Sequence, residues 1–191
     1  MSAPTRRLTV KDVVDYEWCP AKLWFKYYGP RLSWRPRHYT GEERIDHDET
    51  VRIVGEALGR GMEECTIIRE PLLHGITLPV TGRPDMIAYC PDTCVAVEVK
   101  TRRSPWGLAE LQAGLYKTIL EEQSECRNRE TIALIVEDGT ARRVDPDRST
   151  IALKVRRALE VLRTRTPPEP SRPSRACRAC QYRRVCPYSQ E

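Results

Sequence analysis

The sequence has no long apolar run. Its 191 residues contain no stretch of about 18 consecutive apolar residues, which is the length a helix needs to cross a bilayer, so we expect no membrane span. Residues 1–14 also lack the apolar core and the small-residue cleavage site of a signal peptide. We therefore expect a cytoplasmic protein, in which thiols stay reduced and clustered cysteines indicate metal binding or catalysis before disulfides.

Asparagine and lysine are scarce. Asparagine occurs once, glutamine four times, and lysine supplies only 6 of the 32 basic residues, the other 26 being arginine. A low content of asparagine and glutamine, together with many charged residues, favours a thermophilic source. Arginine is the better residue for bidentate phosphate contacts, although a genome that favours arginine codons explains the excess equally well. The net charge of +5 is only a weak sign of a nucleic-acid partner.

The pattern of helices and strands predicts an α/β or α+β protein. Helical periodicity is found in five places, with a capping box at Thr9 and Asp12 in the first: two short helices in residues 8–29, then residues 42–64, 107–123 and 149–165. Strand-like runs occupy residues 66–100 and 131–144, with a hairpin turn at Asp138-Gly139. Residues 166–175 are rich in proline and predict a linker to a cysteine-containing tail.

Residues 82–100, GRPDMIAYCPDTCVAVEVK, predict a hairpin that brings two carboxylates together. Side chains alternate along a strand, so Glu98 and Lys100 share one face, and the opposite, valine-rich face is expected to be core. If the chain turns on Pro91-Asp92, Asp85 lies directly opposite Glu98, with Cβ atoms about 5 Å apart. A three-residue turn would shift this register.

Two carboxylates at that distance favour a hard divalent cation such as Mg²⁺ or Mn²⁺. Such an ion polarises a phosphodiester and activates water, and Lys100 would orient that water or neutralise charge on the phosphate. The alternative is an exposed hairpin with a Glu98–Lys100 surface pair. His47, expected on the core face of its helix, is a candidate third ligand. Gln112 and Tyr116 share a helix face because they are four residues apart, so they would bond the substrate or Lys100, or simply form a polar surface.

Three cysteines lie close together near the C-terminus, as Cys177-x2-Cys180-x5-Cys186. Thiolates at such a spacing suit zinc and an iron–sulfur cluster about equally, and a fourth ligand is needed. The other internal cysteines are interpreted as packing or incidental residues: Cys65, Cys90, Cys94 and Cys126.

Together, GRPD, EVK thirteen residues later and QAGLY resemble the RecB-like branch of the PD-(D/E)xK nuclease superfamily. The cysteine pattern, with YEWCPAKLWF around Cys19, resembles the iron–sulfur nucleases of the CRISPR-associated Cas-four family, and the likeness extends over essentially the whole chain. The resemblance implies roles for the residues that match each motif. Asp85, Glu98 and His47 would bind metal, Lys100 would be catalytic with Gln112 and Tyr116, and Cys19, Cys177, Cys180 and Cys186 would hold the cluster. His38 competes with His47.

The resemblance also implies a fold, a function and partners. A helical segment (residues 1–40) would precede a restriction-endonuclease-like core (41–165) and a cluster-binding tail (166–191). The activity would be a Mn²⁺- or Mg²⁺-dependent exonuclease on single-stranded DNA ends, working in CRISPR adaptation with the Cas1–Cas2 integrase. The cluster would be 4Fe-4S more commonly than 2Fe-2S, and Arg102 and Arg103 would contact DNA phosphates. The alternatives are a non-catalytic assembly subunit of that complex and a zinc-stabilised nucleic-acid module.

Overall fold

Helices and strands alternate along the chain, as expected. The computed structural model describes residues 7–31, 46–101, 105–170 and 174–189. The helices are α1 (Val10–Trp18), α2 (Pro20–Tyr28), α3 (His47–Leu58), α4 (Leu108–Glu121), α5 (Arg148–Val161) and α6 (Ser174–Arg178). The strands are β1 (Leu8–Thr9), β2 (Thr66–Arg69), β3 (Leu73–His74), β4 (Val80–Gly82), β5 (Met86–Tyr89), β6 (Thr93–Lys100), β7 (Glu130–Glu137) and β8 (Thr140–Val144). None of the helices in these ranges is long and apolar enough to cross a membrane.

A mixed five-stranded sheet forms the centre of the protein, in the order β2-β5-β6-β7-β8. The middle strand, β6, pairs antiparallel with β5 and parallel with β7. A smaller sheet, β1-β4-β3, lies beside it, and helices flank both. The α/β class predicted from the sequence is therefore confirmed, and the hairpin at Asp138-Gly139 joins β7 to β8 as expected.

Both faces of β6 are buried, whereas the sequence predicted one apolar face and one polar face. Val95 and Val97 face a cluster that includes residues of α3, and Cys94 and Ala96 face the cluster built by α1, α4 and α5. The second face is covered because α4 packs directly across β6 and β7. Glu98 therefore ends a strand that is buried on both sides, and the exposed-hairpin alternative is wrong.

Helix α3 is shorter than predicted, and its first residue is less buried than expected. It ends at Leu58 instead of residue 64, because Gly59 follows with a left-handed φ of 67°. The predicted first residues, 42–45, lie outside the described part of the chain. Val51, Val54 and Leu58, which share a face with His47, pack into the core together with Ile53, whereas His47, the first residue of the helix, is half-buried.

The two N-terminal helices form as predicted, and they share a core with the rest of the protein. Thr9 and Asp12 make the capping box of α1, and Pro20 begins α2. Lys26 then lies 2.7 Å from Asp12, and Lys22 lies 2.7 Å from Asp15, so buried ion pairs fix the angle between the two helices. Apolar side chains of both helices join the cluster that contains α4 and α5.

The interpretation of four internal cysteines as packing or incidental residues is wrong, because the structure pairs them. Disulfides join Cys65 to Cys90 and Cys94 to Cys126. The first continues the antiparallel register of β2 and β5 by one residue beyond Thr66 and Tyr89. The second ties β6 to the turn after α4. The expectation that all thiols of this chain stay reduced is therefore wrong as well; disulfides occur in secreted proteins and in intracellular proteins of hyperthermophiles.

Candidate functional site

The β5–β6 hairpin has the register that the sequence predicted. The turn falls on Pro91-Asp92, and the last ladder pair at the other end is Met86 with Val97. Continuing that register by one residue places Asp85 opposite Glu98. A carboxylate oxygen of Asp85 also accepts a hydrogen bond from the backbone N–H of Val99 at 2.7 Å, which fixes the side chain across the strand end.

Glu98 is the least satisfied charged group of this hairpin. It is 4% exposed, and its Oε1 accepts a hydrogen bond from Lys100 Nζ at 2.6 Å. Its Oε2 is buried without a hydrogen-bond partner among the described residues. Burial and then the neighbouring charge of Asp85 raise the pKa of Glu98 to about 7. Burial likewise raises the pKa of Asp85. For both carboxyls the effect of burial on the pKa outweighs that of the neighbouring positive charges, of which Lys100 is one.

A divalent cation fits this donor set. An unpartnered buried carboxylate oxygen, opposite a second carboxylate, offers the hard oxygen ligands that Mg²⁺ and Mn²⁺ prefer. Within the described ranges no three histidine, cysteine or acidic side chains already converge as a complete metal site. His47, the first residue of α3, is near enough for its charge to lower the pKa of Asp85, against the larger effect of burial. Asp85 and Glu98 are thus brought together, with His47 nearby.

Lys100 is held by a chain of hydrogen bonds that ends on α4. Its ammonium group donates to Glu98 and, at 3.0 Å, to Gln112 Oε1. The Gln112 amide lies 3.5 Å from the Tyr116 hydroxyl, which donates to the backbone oxygen of Arg83 at 2.9 Å. Burial, followed by the charge of Glu98, raises the pKa of Tyr116, so its hydroxyl stays protonated as a donor. Of the two readings of Gln112 and Tyr116, this geometry favours contact with Lys100.

Sequence reasoning missed two neighbours of the site. The β2–β5 register, extended by one residue, places Glu70 opposite Asp85, and the Glu70 N–H donates to the Asp85 backbone oxygen at 3.1 Å. The charge of Glu70 is close enough to raise the pKa of Asp85, after the larger effect of burial. Lys11, at the start of α1, is close enough for its charge to lower the pKa of Glu98. No sequence signal marked either residue, because both come from elements far away along the chain.

The raised pKa of Glu98 gives a pH-dependent stability with an unusual sign. A carboxyl that titrates near 7 when folded and near 4.5 when unfolded binds more protons in the folded state between these values, so stability falls as pH rises through that window. The difference corresponds to about 3 kcal/mol. In chelator, Glu98→Gln is expected to be more stable than wild type at pH 8 but not at pH 4, as measured by denaturant unfolding. An equal difference in stability between the variant and the wild type at both pH values would contradict the raised pKa of Glu98. When Mn²⁺ is added, only the wild type should become more stable.

A second group of residues lies at the junction of the N- and C-terminal segments. The four cysteines outside disulfides line one small cavity, together with Trp18, Phe25 and Tyr182: Cys19, Cys177, Cys180 and Cys186. Cys19 lies between α1 and α2, and Phe25 stacks on Tyr182 with ring centroids 5.6 Å apart. Burial raises the pKa of the Cys19 and Cys180 thiols.

These four thiols fit a cysteine-ligated group by chemistry and by location, since the remaining cysteines are used in disulfides. Their sulfurs are not in a ligating arrangement in the described structure. Other predicted residues cannot be placed: Arg102, Arg103 and His38 lie outside the described residues.

Comparisons with known proteins show a family for this chain and similar folds. The profile described as PD-(D/E)XK nuclease superfamily matches residues 10–187, a range that contains the carboxylate hairpin, α4 and the four free cysteines. Comparison with curated proteins found no match. A candidate exonuclease from Eubacterium rectale has a similar structure, with a TM-score of 0.52 and 13% identity over 97% of this chain and 95% of its own. The protein SSO0001 is similar too, with a TM-score of 0.50 and 15% identity over 100% of this chain and 90% of its own.

The profile match identifies the family, and the two solved structures show a similar fold. The match covers residues 10–187, which is nearly the whole chain. The chain belongs to the PD-(D/E)XK nuclease superfamily.

Proposed function

We propose that this protein is a metal-dependent deoxyribonuclease that degrades single-stranded DNA from its ends. The observation that carries the proposal is the buried, unpartnered Oε2 of Glu98, opposite Asp85 and beside Lys100. A cation bound by these carboxylates would offset the cost of burying them, which Lys100 and the Val99 N–H offset only in part because Glu98 Oε2 stays unpartnered. The E. rectale protein is described as a candidate exonuclease, which supports cleavage from an end.

In this mechanism the residues of the chain bind the metal ion, orient the lysine ammonium group and stabilise the charge that develops on the phosphate. Asp85 and Glu98 would hold Mn²⁺ or Mg²⁺, with His47 as a further ligand; the bound ion supplies Lewis-acid polarisation of the phosphodiester and a lower pKa for water. Lys100 would place its ammonium group beside the phosphate, where negative charge develops during the displacement. Gln112 and Tyr116 would keep that ammonium group in position.

Lys100→Ala is expected to lower kcat about 10²- to 10³-fold with little change in DNA affinity, because the stabilisation is needed mainly in the transition state. Single-turnover cleavage and fluorescence anisotropy of labelled single-stranded DNA measure the two quantities. Lys117→Ala is the matched control, since this lysine lies on α4 in surface ion pairs with Glu121 and Asp145. A loss of affinity equal to the loss of rate would make Lys100 a phosphate anchor instead.

We further propose that the four free cysteines hold an iron–sulfur cluster, of 4Fe-4S type more readily than 2Fe-2S. Their convergence from both ends of the chain on one cavity supports this. With the resemblance to the Cas-four family, the proposal extends to trimming of DNA in CRISPR adaptation, in the cytoplasm, together with the Cas1–Cas2 integrase. Arg102 and Arg103, directly after the catalytic strand, would contact the DNA backbone.

The test is digestion of single-stranded DNA with Mn²⁺ or Mg²⁺, with and without chelator, together with iron and sulfide analysis of anaerobically purified protein. We expect metal-dependent release of nucleotides from an end. DNA binding without cleavage would favour a non-catalytic assembly subunit, and zinc in place of iron would favour a zinc-stabilised module.

A further inference from the structure

The first turn of α1 lies against the proposed catalytic site. Gly82 of β4 is wedged between Val10 and Tyr116: a Cβ on this glycine would lie 2.6 Å from Val10 Cγ2 and 2.7 Å from Tyr116 Cε1. Since no side chain larger than hydrogen fits there, α1 begins in direct contact with the helix that positions Lys100. Lys11, the residue after Val10, is 67% exposed, and its nearest carboxylate contact is a long one, 4.0 Å to Asp15.

Two tryptophans lie at the other end of the same helix. Trp18 is the last residue of α1, seven positions from Lys11, and seven residues bring a helix nearly back to the same face about 10 Å further along. Its ring meets Trp106 edge to face, with centroids 4.9 Å apart, and the ammonium group of Lys22 lies 5.3 Å from the Trp18 ring. Both tryptophans are only partly buried.

Trp106 adopts a backbone conformation that a large residue rarely takes. Its φ of 59° lies in the left-handed region, and Gly107 follows with a φ of 69°. Such a conformation persists only where the surroundings hold it, and it clusters at functional sites. Here it occurs in the short connection between the catalytic strand β6 and α4, and its result is to place an indole ring beside Trp18.

Lysines outnumber the aspartates that they face at the start of α1, while Glu17 and Glu110 line the pocket at Trp106. Asp15 is paired with Lys22 at 2.7 Å, and Lys26 bridges Asp12 and Asp15. Three lysines thus face two buried aspartates, and Lys11 keeps the longest contact of the set. A partly exposed aromatic pair beside a cation is how proteins bind single-stranded nucleic acid: bases stack on the rings, and phosphates lie on the basic groups.

We propose that Lys11, Trp18 and Trp106, which we call the α1 platform, bind the DNA strand that enters the catalytic site. Lys11 contacts a phosphate next to the bond that is cut, and one or two bases stack on the tryptophan pair as the strand runs along α1 toward the cysteine cavity. This inference rests on the proposed function, and it assigns substrate contacts to residues outside the catalytic hairpin.

The first test measures DNA binding in a Glu98→Gln background, in which the strand is not cut. Affinity of a labelled single-stranded oligonucleotide is measured at several salt concentrations. Removing one phosphate contact on a single strand makes the slope of log K against log salt less steep by about 0.7, so Lys11→Ala should change it by that amount and Lys11→Arg should not. Arg143→Ala, which removes a charge on the edge strand β8, should leave the slope unchanged.

The second test uses the tryptophans as their own probes. Stacking of bases should quench the fluorescence of the Glu98→Gln protein, and the double variant Trp18→Phe/Trp106→Phe should lose most of that quench. The control is Trp24→Phe. Trp24 is not part of the platform, and its indole N–H donates a hydrogen bond to the backbone oxygen of Thr164, so this variant should keep the quench. Trp18→Leu or Trp106→Leu should weaken binding about 5- to 150-fold.

An unchanged salt slope in Lys11→Ala, or a quench that survives the double variant, would overturn the platform even if the wild-type protein cleaves DNA normally. Failure of the proposed function shows separately, as absence of Mn²⁺-dependent cleavage by the wild type. A protein that does not cleave but gives the expected slope change and quench supports the platform as the DNA-binding surface of a non-catalytic subunit. If the protein does not bind DNA at all, both the α1 platform and the proposed nuclease function are overturned.

Discussion

Replacing Asp85 or Glu98 by alanine is expected to lower the rate of DNA cleavage by about 10³-fold or more while the fold is retained. Each change removes one carboxylate of a cation site, and the remaining carboxylate does not hold the ion in position for the reaction. The measurement is single-turnover digestion of single-stranded DNA in Mn²⁺, with circular dichroism as the check on folding. Iron content should stay at the wild-type level, because the cysteine cavity lies at the junction of α1, α2 and the tail, away from this hairpin.

Glu130→Ala is the matched control for that experiment. Glu130 is an exposed carboxylate at the opposite end of the sheet, paired with Arg143, and its loss should change neither rate nor metal dependence. If both Asp85→Ala and Glu98→Ala kept Mn²⁺-dependent cleavage, the catalytic carboxylates would have to lie elsewhere. Glu70, whose charge acts on Asp85, would then be the next residue to replace.

Cys19→Ala is expected to bleach the protein and destabilise it as strongly as Cys180→Ala, although the two residues lie near opposite ends of the chain. A group bound by both closes a loop of nearly the whole protein, and a cross-link of that length contributes roughly 4–5 kcal/mol in the chain-entropy model. That is most of the stability of a small domain. Visible absorption, iron analysis and denaturant unfolding measure the two effects.

Cys65→Ser is the control that distinguishes the effect of losing the cluster from the effect of losing a cysteine that does not bind it. It breaks a disulfide with a sequence separation of 25, so it should cost about 3 kcal/mol while iron content and colour stay unchanged. The same holds for Cys126→Ser, which releases the turn after α4 from β6. A Cys19→Ala protein with full colour and full stability would mean that the fourth ligand is not Cys19.

Much of the candidate site could be predicted because short-range geometry controls it. A two-residue turn on Pro91-Asp92 sets the register of the hairpin, and strand alternation then places Asp85 opposite Glu98. The spacing of four between Gln112 and Tyr116 puts both on the face of α4 that meets Lys100. In each case the residues lie within one helix or one hairpin, so the period of the backbone decides which side chains meet.

Other features depended on contacts between distant parts of the chain. The partners of Cys65 and Cys94 follow from where β2 and the turn after α4 lie, and no local pattern fixes either. The half-buried state of His47 could not be read from the sequence, because it begins α3 and its surroundings depend on the elements that pack there. The four cysteines meet only because the tail packs on α2 through Phe25 and Tyr182.

By itself, then, the sequence determined three features. Helices and strands alternate along the chain, Asp85 lies opposite Glu98, and the cysteines of the C-terminal tail form a group separate from the internal ones. Only the tertiary structure decided that β6 is buried on both faces, which is what leaves Glu98 with a pKa near 7 and an oxygen without a partner. It also brought Lys11 close enough to act on Glu98 and packed Trp106 against Trp18. Side-chain direction is a property of the local backbone, whereas burial and electrostatic surroundings depend on the packing of elements that are far apart along the chain.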